Sequence, residues 1–379
     1  MLAQPAPPAR SATPLAEMAD RCVQCGLCLP HCPTYHLDAT EAESPRGRIA
    51  YVKALATGLL PPSGIGDLHL DHCLGCRRCE SVCPAGVEYG ALLAEARAEQ
   101  FTRRPPRWRE RLALRLLAGP GLLARLLAIY RTVFPILPAT LRPLPRPPIQ
   151  PSIPASDSPV GPALFTGCIA RAYEPPAHAA LIRLLAAAGI EANIPAGQTC
   201  CGTAAVHAGD TAQAERLAAQ NRNAFAHRQQ VLSLSSGCQE ILANSLDGVA
   251  EVHDAVAILE ACGDNLRFRP ARGRRIALHL PCTQRSVTRT GPALRRLLAR
   301  VPDLVLIDLP DTGCCGAAGT HMLNEPARAA VLREPTIEAV QNLAATEILS
   351  ANIGCRLHLA NGIAIPVRHP LEFLAEQLA

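Results

Sequence analysis

Apolar side chains recur along this chain at two different intervals. In "SPRGRIAYVKALATGLL" the residues Ile49, Val52, Leu55 and Leu59 fall at helical spacing behind a Ser44-Pro45 start signal, which predicts a helix. "GALLAEARAEQF", from Gly90 to Phe101, has the same period. Next comes a basic amphipathic stretch, "RWRERLALRLLAGPGLLARLLAIYRTVF", interrupted at Gly119-Pro120-Gly121. Ten prolines between Pro135 and Pro162 then predict an extended, semi-rigid linker. From residue 163 onward, short apolar runs alternate with helical ones such as "AHAALIRLLAAAG" and "ALRRLLARV". That alternation predicts parallel sheets flanked by helices.

The alternating part repeats itself. "ALFTGC" at 163 matches "ALHLPC" at 277, and "CCGTAAVHAGD" at 200 matches "CCGAAGTHMLN" at 314, both offset by 114. "SLSSGCQEIL" at 233 matches "SANIGCRLHL" at 350, offset by 117, and "VHDAVAILEA" at 252 resembles "VRHPLEFLAE" at 367. Each half reads strand, Cys, helix, Cys-Cys-Gly, helix, strand, Cys. The expected fold class is therefore multidomain α and α/β. A helical N-terminal domain over 1–100 is followed by a basic, Pro-rich linker over 101–162. Two pseudo-symmetric α/β domains complete the chain over 163–270 and 271–379.

Composition changes this picture in three places. A chain of 379 residues, 49% hydrophobic and 18% charged, is globular and too long for one core. Its net charge of +5 is uneven: 101–150 holds ten Arg against the single acidic Glu110. The remainder is about −4 by the same count, which excludes a uniformly basic nucleic-acid-binding surface. The basic stretch admits two readings, a surface for an anionic membrane or a partner subunit, or a helical hairpin packed on the first domain with solvated arginines. Finally, the 17 cysteines are an odd number, and the opening "MLAQPAPPARSATPLAEMAD" has no apolar signal region. A reducing cytoplasmic location is expected, at the inner face of the membrane if the basic stretch lies on lipid, with cysteines serving metals rather than disulfides.

Cys22, Cys25, Cys28 and Cys32-Pro33 follow C-x2-C-x2-C-x3-C-P, as do Cys73, Cys76, Cys79 and Cys83-Pro84. Such a run converges three thiolates on one cubane and sends the fourth, before proline, to the other. One [4Fe–4S] cluster is thus assigned to Cys22, Cys25, Cys28 and Cys83, the second to Cys73, Cys76, Cys79 and Cys32. Zinc also uses C-x2-C pairs, but it does not explain this run closed by proline twice.

The repeated halves carry a second set: Cys168, Cys200, Cys201 and Cys238, then Cys282, Cys314, Cys315 and Cys355. Adjacent cysteines on a tight turn can both reach one metal centre, and the following glycine gives the backbone room. Each set is expected on three loops and is a candidate for a further cluster; Cys262 stands outside both. His207 and His321 recur after the two Cys-Cys-Gly units, and His253 and His369 recur in the tails, either anchoring turns or tuning a cluster by hydrogen bonds.

The two cysteine runs, "SPRGRI", the paired Cys-Cys-Gly units, "HLPCTQR", "ANIGCRLHL" and "VRHPLEFL" resemble the iron–sulfur subunits of bacterial glycolate oxidase over nearly the whole chain. The Cys-Cys-Gly units are also similar to those of heterodisulfide reductase and lactate-utilisation proteins. In that wider family such units hold iron–sulfur clusters, some of them of a non-cubane kind that uses a C-x-x-C after the unit. Here Ile241 and His358 stand where the second cysteine belongs.

No dinucleotide, Walker or hydrolase motif is present, and one-electron clusters do not themselves oxidise a hydroxy acid, so a flavoprotein partner is expected. The resemblance implies an electron-transfer subunit. FAD on a partner oxidises glycolate to glyoxylate, and a quinone or other acceptor takes the electrons. The alternative reading is the same architecture serving D-lactate, another 2-hydroxy acid or glycerol-3-phosphate, because the substrate pocket would lie on the partner. A thiol–disulfide reductase and a structural zinc scaffold are the readings of other classes.

Overall fold

The computed structural model describes residues 14–104, 106–149, 153, 155–156 and 161–379. The first thirteen residues, and Pro151, Pro154 and Pro159 of the proline run, fall outside the described residues.

The N-terminal region is helical, built from α1 (Pro14–Asp20), α2 (Pro33–Asp38), α3 (Pro45–Ala56), α4 (Gly64–Asp71), α5 (Arg78–Ser81) and α6 (Tyr89–Arg103). The start of α3 is the one its sequence announces: Ser44 Oγ accepts from Gly47 N at 2.9 Å, and Pro45 opens the helix. Ile49 and Val52 are buried against Leu15, Leu70, Leu92 and Leu93. Leu59, expected on the same face, is exposed because α3 stops at Ala56 and the chain turns through Gly58.

Two helices, α7 (Trp108–Ala118) and α8 (Pro120–Val133), are bent by 108° at Gly119. No single helix among the described residues is long and apolar enough to cross a membrane. The hairpin packs on the repeated halves instead of the first domain. Leu123 and Leu127 are buried with Tyr173, Ile353 and Leu357, and Gln213 and Thr199 donate to the Leu114 and Ala118 carbonyls. The segment after it is partly folded: Leu144 is buried, and Tyr130 and Tyr173 donate to the carbonyls of Leu144 and Pro145.

The first repeated half holds β1 (Ala163–Phe165), α9 (Ala170–Tyr173), α10 (Pro175–Ala187), α11 (Thr203–Ala208), α12 (Thr211–Phe225), β2 (Gln230–Ser233), α13 (Ser236–Ser245), β3 (Glu251–Asp254) and α14 (Ala255–Ala261). The second holds β4 (Arg275–Leu278), α15 (Gly291–Leu298), β5 (Val305–Asp308), α16 (His321–Asn324), α17 (Pro326–Gln341), β6 (Glu347–Leu349), α18 (Ile353–Ala360), β7 (Val367–Arg368) and α19 (Pro370–Glu376). Both sheets are parallel, ordered β1-β2-β3 and β5-β4-β6-β7. Among the described residues β5 has no full counterpart; a single parallel bridge from Ala163 to Asn193 stands at that edge of the first sheet.

The halves do not keep separate cores. α10 packs on α19 and α14 on α15, so each half supplies one helix to each of two equivalent contacts about a pseudo-twofold. Leu181, Leu184, Leu294, Leu297, Phe373 and Leu374 belong to one apolar cluster that runs through both halves. This shared burial fixes how the carboxyl ends of the two sheets face one another. Across that seam Ser236 Oγ lies 2.8 Å from Thr283 Oγ1, and Asn352 Nδ2 donates to both.

Candidate iron–sulfur sites

The two N-terminal cysteine runs fold alike. In each, the residues flanking the second cysteine take left-handed φ: Gln24 and Gly26 around Cys25, Gly75 and Arg77 around Cys76. Two such reversals turn successive thiols toward one point, which extended backbone cannot do. Cys22, Cys25, Cys28 and Cys83 line one cavity, together with Cys79 of the other expected set and with Pro45 and Ile49 from the start of α3. Cys25 on its rim is exposed, and so are its neighbours Val23 and Leu27.

Cys73, Cys76, Cys79 and Cys32 lie deeper; all but Cys73 are buried. Burial, then the neighbouring Cys76, Cys73 and Cys32, push the Cys79 thiol well above its ordinary value. Tyr89 Oη donates to Cys73 Sγ at 3.6 Å, and Thr34 Oγ1 lies 3.3 Å from Cys32 Sγ. Arg48, the second arginine of "SPRGRI", is fully buried here and donates to Thr34 Oγ1 at 3.0 Å. Arg46, the first, reaches back to the Gln24 carbonyl at 3.1 Å. One helix start therefore sends one guanidinium toward each cysteine group.

Sequence reasoning missed what neutralises Arg48. Glu43, 3% exposed, accepts from Arg48 at 2.5 Å and from His69 Nδ1 and His72 Nδ1 at 2.6 Å each. Burial alone would raise the Glu43 carboxyl, but the hydrogen bonds from His72 and His69, with Arg48, hold it down at about 2. Arg328 of α17 pairs with Asp38 and reaches Glu43 at 3.4 Å, so this network also ties the N-terminal region to the second half. Glu43, His69 and His72 lie close enough to share a cation. The two guanidiniums already answer the carboxylate charge and make a cation unfavourable there.

In the repeated halves the thiols form two equivalent chains. In the first half Cys200 faces Cys168 and Cys201, and Cys201 faces Cys238. In the second half Cys282 Sγ lies 3.9 Å from Cys314 Sγ and Cys315 Sγ 3.0 Å from Cys355 Sγ, with Cys314 and Cys315 adjacent in sequence between them. Hydrogen bonds from Cys200 and Cys238 draw the Cys201 thiol below its ordinary value, while the bonds to Cys168 and Cys201 raise Cys200. Cys168 and Cys282 stand in loops past strand ends as expected, but Cys238 and Cys355 lie in the first turns of α13 and α18 rather than in loops. Cys262, half-buried at the end of α14, belongs to neither chain.

Buried thiols crowded together resist ionisation, and a cationic metal centre removes that resistance by taking their charge. Cys76 and Cys79 of the inner N-terminal group, Cys200 and Cys238 of the first half, and Cys282, Cys314 and Cys315 of the second have that character. Cys76 packs with Cys314 and Cys282, so the deeper N-terminal group abuts the second Cys-Cys-Gly unit directly.

The histidines divide by structure in a way the repeat conceals. His321 Nδ1 donates to the Gly316 carbonyl at 2.9 Å within its own turn. His207 touches other modules instead, lying against Gly75 and Gly319. His358 donates through Nε2 to the Ala329 carbonyl at 2.9 Å, which gives one of its two ring nitrogens a structural partner. Ile241 faces Gly202 of the first Cys-Cys-Gly turn. His253 and His369 are not equivalent: the residue matching His369 is Asp254, each capping the helix that follows it. His253 is half-buried beside Glu251, whereas His369 is buried and donates to the Leu234 carbonyl of the other half at 3.0 Å.

Comparison with known proteins agrees with this layout. A 4Fe-4S dicluster domain matches residues 18–87, and a cysteine-rich domain matches twice, over 162–243 and 276–360. The dicluster match and its eight cysteines establish two [4Fe–4S] clusters for the N-terminal region. The glycolate oxidase iron-sulfur subunit of Escherichia coli (strain K12) is 32% identical, over 94% of this chain and 93% of the relative. The probable glycolate oxidase iron-sulfur subunit of Bacillus subtilis (strain 168) is also 32% identical, over 90% and 88%. A fumarate reductase (CoM/CoB) subunit of Methanothermobacter marburgensis is 24% identical over 90% of this chain and 68% of its own. With both cysteine domains present and full-length relatives at that identity, the chain belongs to the family of glycolate oxidase iron–sulfur subunits.

Proposed function

We propose that this chain is the electron-transfer subunit of a complex that oxidises glycolate to glyoxylate, with the substrate and FAD on a partner chain and a quinone or similar acceptor downstream. The full-length similarity to glycolate oxidase iron–sulfur subunits carries this reading. Cys22, Cys25, Cys28 and Cys83 hold the outer cluster, and Cys73, Cys76, Cys79 and Cys32 the inner one. Cys168, Cys200, Cys201 and Cys238, and likewise Cys282, Cys314, Cys315 and Cys355, each hold a further centre. When bound, such clusters take up and release single electrons.

The chain's own residues support an order. Val23 and Leu27 leave an apolar rim beside exposed Cys25, a face for a protein partner. Behind it, Cys76 abuts Cys282 and Cys314 in the interior. On the hairpin, Leu122, Leu126 and Ile129 form an exposed stripe, and Arg109, Arg111, Arg115 and Arg125 carry no ion pair among the described residues. That combination suits an anionic lipid surface. Sedimentation with phosphatidylglycerol vesicles at low salt tests it; a complex left wholly in the supernatant would end the lipid reading.

The test of the main proposal is anaerobic EPR of the chain co-purified with its flavoprotein, before and after adding glycolate. Reduced-cluster signals on glycolate addition are expected. If only dithionite raises them, electron transfer stands and glycolate falls, with D-lactate the next substrate to try.

A further inference from the structure

The two Cys-Cys-Gly units are each followed, at the same distance, by a histidine, and the fold puts those two imidazoles to different uses. His321 bonds back to Gly316 and stays within its own turn. His207 leaves its own turn. It sits on α11, which packs against α6 of the N-terminal region. A Cβ built on Gly75 would lie 3.0 Å from both Cε1 and Nε2 of the His207 ring, and one built on Gly319 would lie 3.3 Å from its Nδ1. Gly75 stands between Cys73 and Cys76, in the loop of the inner N-terminal group. Gly319 follows Cys314-Cys315-Gly316 in the second half. His207 itself follows Cys200-Cys201-Gly202 in the first. One ring therefore touches, or belongs to, three separate cysteine loops.

Both contacts are made where a glycine has no side chain to interpose, so the ring approaches backbone on either side. A loop held only by its own ends moves more than one wedged against a rigid ring. The outer group has a contact of its own, since a Cβ built on Gly26 would lie 2.8 Å from Nη1 of Arg46, but Arg46 stands on α3 of the same region, whereas His207 reaches the inner loop from the first repeated half.

We propose that His207 is a positioning residue that holds the inner N-terminal cysteine loop and both Cys-Cys-Gly turns in one fixed arrangement, and so sets the electronic coupling between the inner cluster and the C-terminal centres. It rests on the reading that the Cys-Cys-Gly thiols hold metal centres. It makes His207 distinct from His321, which the repeat alone treats as its equal.

The experiment compares the wild-type complex with His207→Ala, His207→Gln and His321→Ala, measuring iron content, the EPR spectrum of the reduced protein and cluster midpoints. In His207→Ala, full iron content is expected with an altered spin–spin interaction between inner and C-terminal signals. The appearance of the C-terminal signal after rapid mixing with dithionite should slow about ten- to a hundred-fold, the range seen when groups supporting a metal site are removed. The outer cluster's signal should not change. His207→Gln, with a polar side chain of similar reach, should recover part of the coupling; if His207→Ala loses iron, the same readouts on His207→Gln decide. His321→Ala should leave the coupling intact. Wild-type spectra and rates in an iron-replete His207 variant would overturn the proposal. Iron for only two clusters in the wild-type protein would instead remove the underlying reading, and the proposal with it.

Discussion

The two Cys-Cys-Gly halves start from the same pattern and end in different surroundings. Each has a parallel sheet, a glycine-closed pair of cysteines and a fourth cysteine in the first turn of a helix. In the second half three of the four thiols are buried, and buried Cys314 and half-buried Cys282 pack with Cys76, while in the first half Cys168 and Cys238 are only half-buried. The hairpin breaks the pseudo-twofold further, because α8 covers α9 and α18 together and, among the described residues, no second hairpin covers the equivalent pair. Duplication thus supplied two like ligand sets, and the single N-terminal region and hairpin made them unequal.

The strongest way to break that comparison is to remove one ligand pair at a time. Cys200→Ser with Cys201→Ser, and separately Cys314→Ser with Cys315→Ser, should each lose the iron of its own half and keep the outer N-terminal signal. The second variant should also perturb the inner cluster's EPR signal, since Cys314 packs with Cys76. Iron and sulfide analysis decides. Unchanged iron in either variant would mean that its half is not a metal site and that the duplication has diverged in chemistry as well as in setting.

The ligand spacing is legible in the sequence because it is local or repeated: three-residue steps in the N-terminal runs, a near-constant offset of 114 to 117 in the halves. Helix starts such as Ser44-Pro45 are legible for the same reason. What the sequence withholds depends on long-range contact. Glu43 gathers Arg48, His69, His72 and Arg328 from well-separated parts of the chain, and no periodicity announces that meeting. The edge strand β5 has a plain apolar run, Leu304 to Ile307, but among the described residues the first half has no full strand to match it, so the repeat does not announce it. The hairpin's placement escapes a sequence reading because its buried leucines, Leu123 and Leu127, find their partners more than forty residues away, and at α18 more than two hundred.

A smaller difference between the halves lies in the caps. His369 opens α19 where Asp254 opens α14. Burial, together with the Arg356 charge, lowers His369 to about 3, and the same causes lower His178 to about 3. Both pKa values lie below the ordinary 6.5, so the folded state binds fewer protons than the unfolded one. Their contribution is complete above about pH 6.5 and is lost as pH falls toward 3. The slope approaches about 1.4 kcal/mol per pH unit for each histidine below pH 6.5, or roughly 3 kcal/mol for both between pH 6.5 and 5. Asp254 moves the opposite way, its carboxyl raised by burial, so Asp254→Asn should cost little at pH 7. Denaturant midpoints of His369→Asn against wild type from pH 7.5 to 5 check the slope. Equal slopes in the two proteins would show that His369 is not the group titrating.

The smallest effect separates the two turns themselves. Gly202 and Gly316 have φ of +91° and +84°, so an alanine at either position meets left-handed strain of about 1–2 kcal/mol. Their surroundings then divide them. A Cβ on Gly202 finds Ile241 Cγ2 at 3.6 Å, ordinary contact, because Ile241 stands where the wider family has a cysteine. A Cβ on Gly316 would fall 2.8 Å from the Ala329 carbonyl oxygen and 3.0 Å from Leu332 Cβ. The Ala329 carbonyl has little freedom to retreat, since it accepts from His358 Nε2 at 2.9 Å. Overpacking there adds about 1–3 kcal/mol to the strain. Gly316→Ala should therefore destabilise more than Gly202→Ala, read as the difference in their denaturant midpoints. Adding His358→Ala to Gly316→Ala frees the carbonyl and should narrow the gap. If instead Gly202→Ala proves the costlier, Ile241 rather than the His358–Ala329 contact is what holds a Cys-Cys-Gly turn in shape, and the departures from C-x-x-C would have opposite consequences in the two halves.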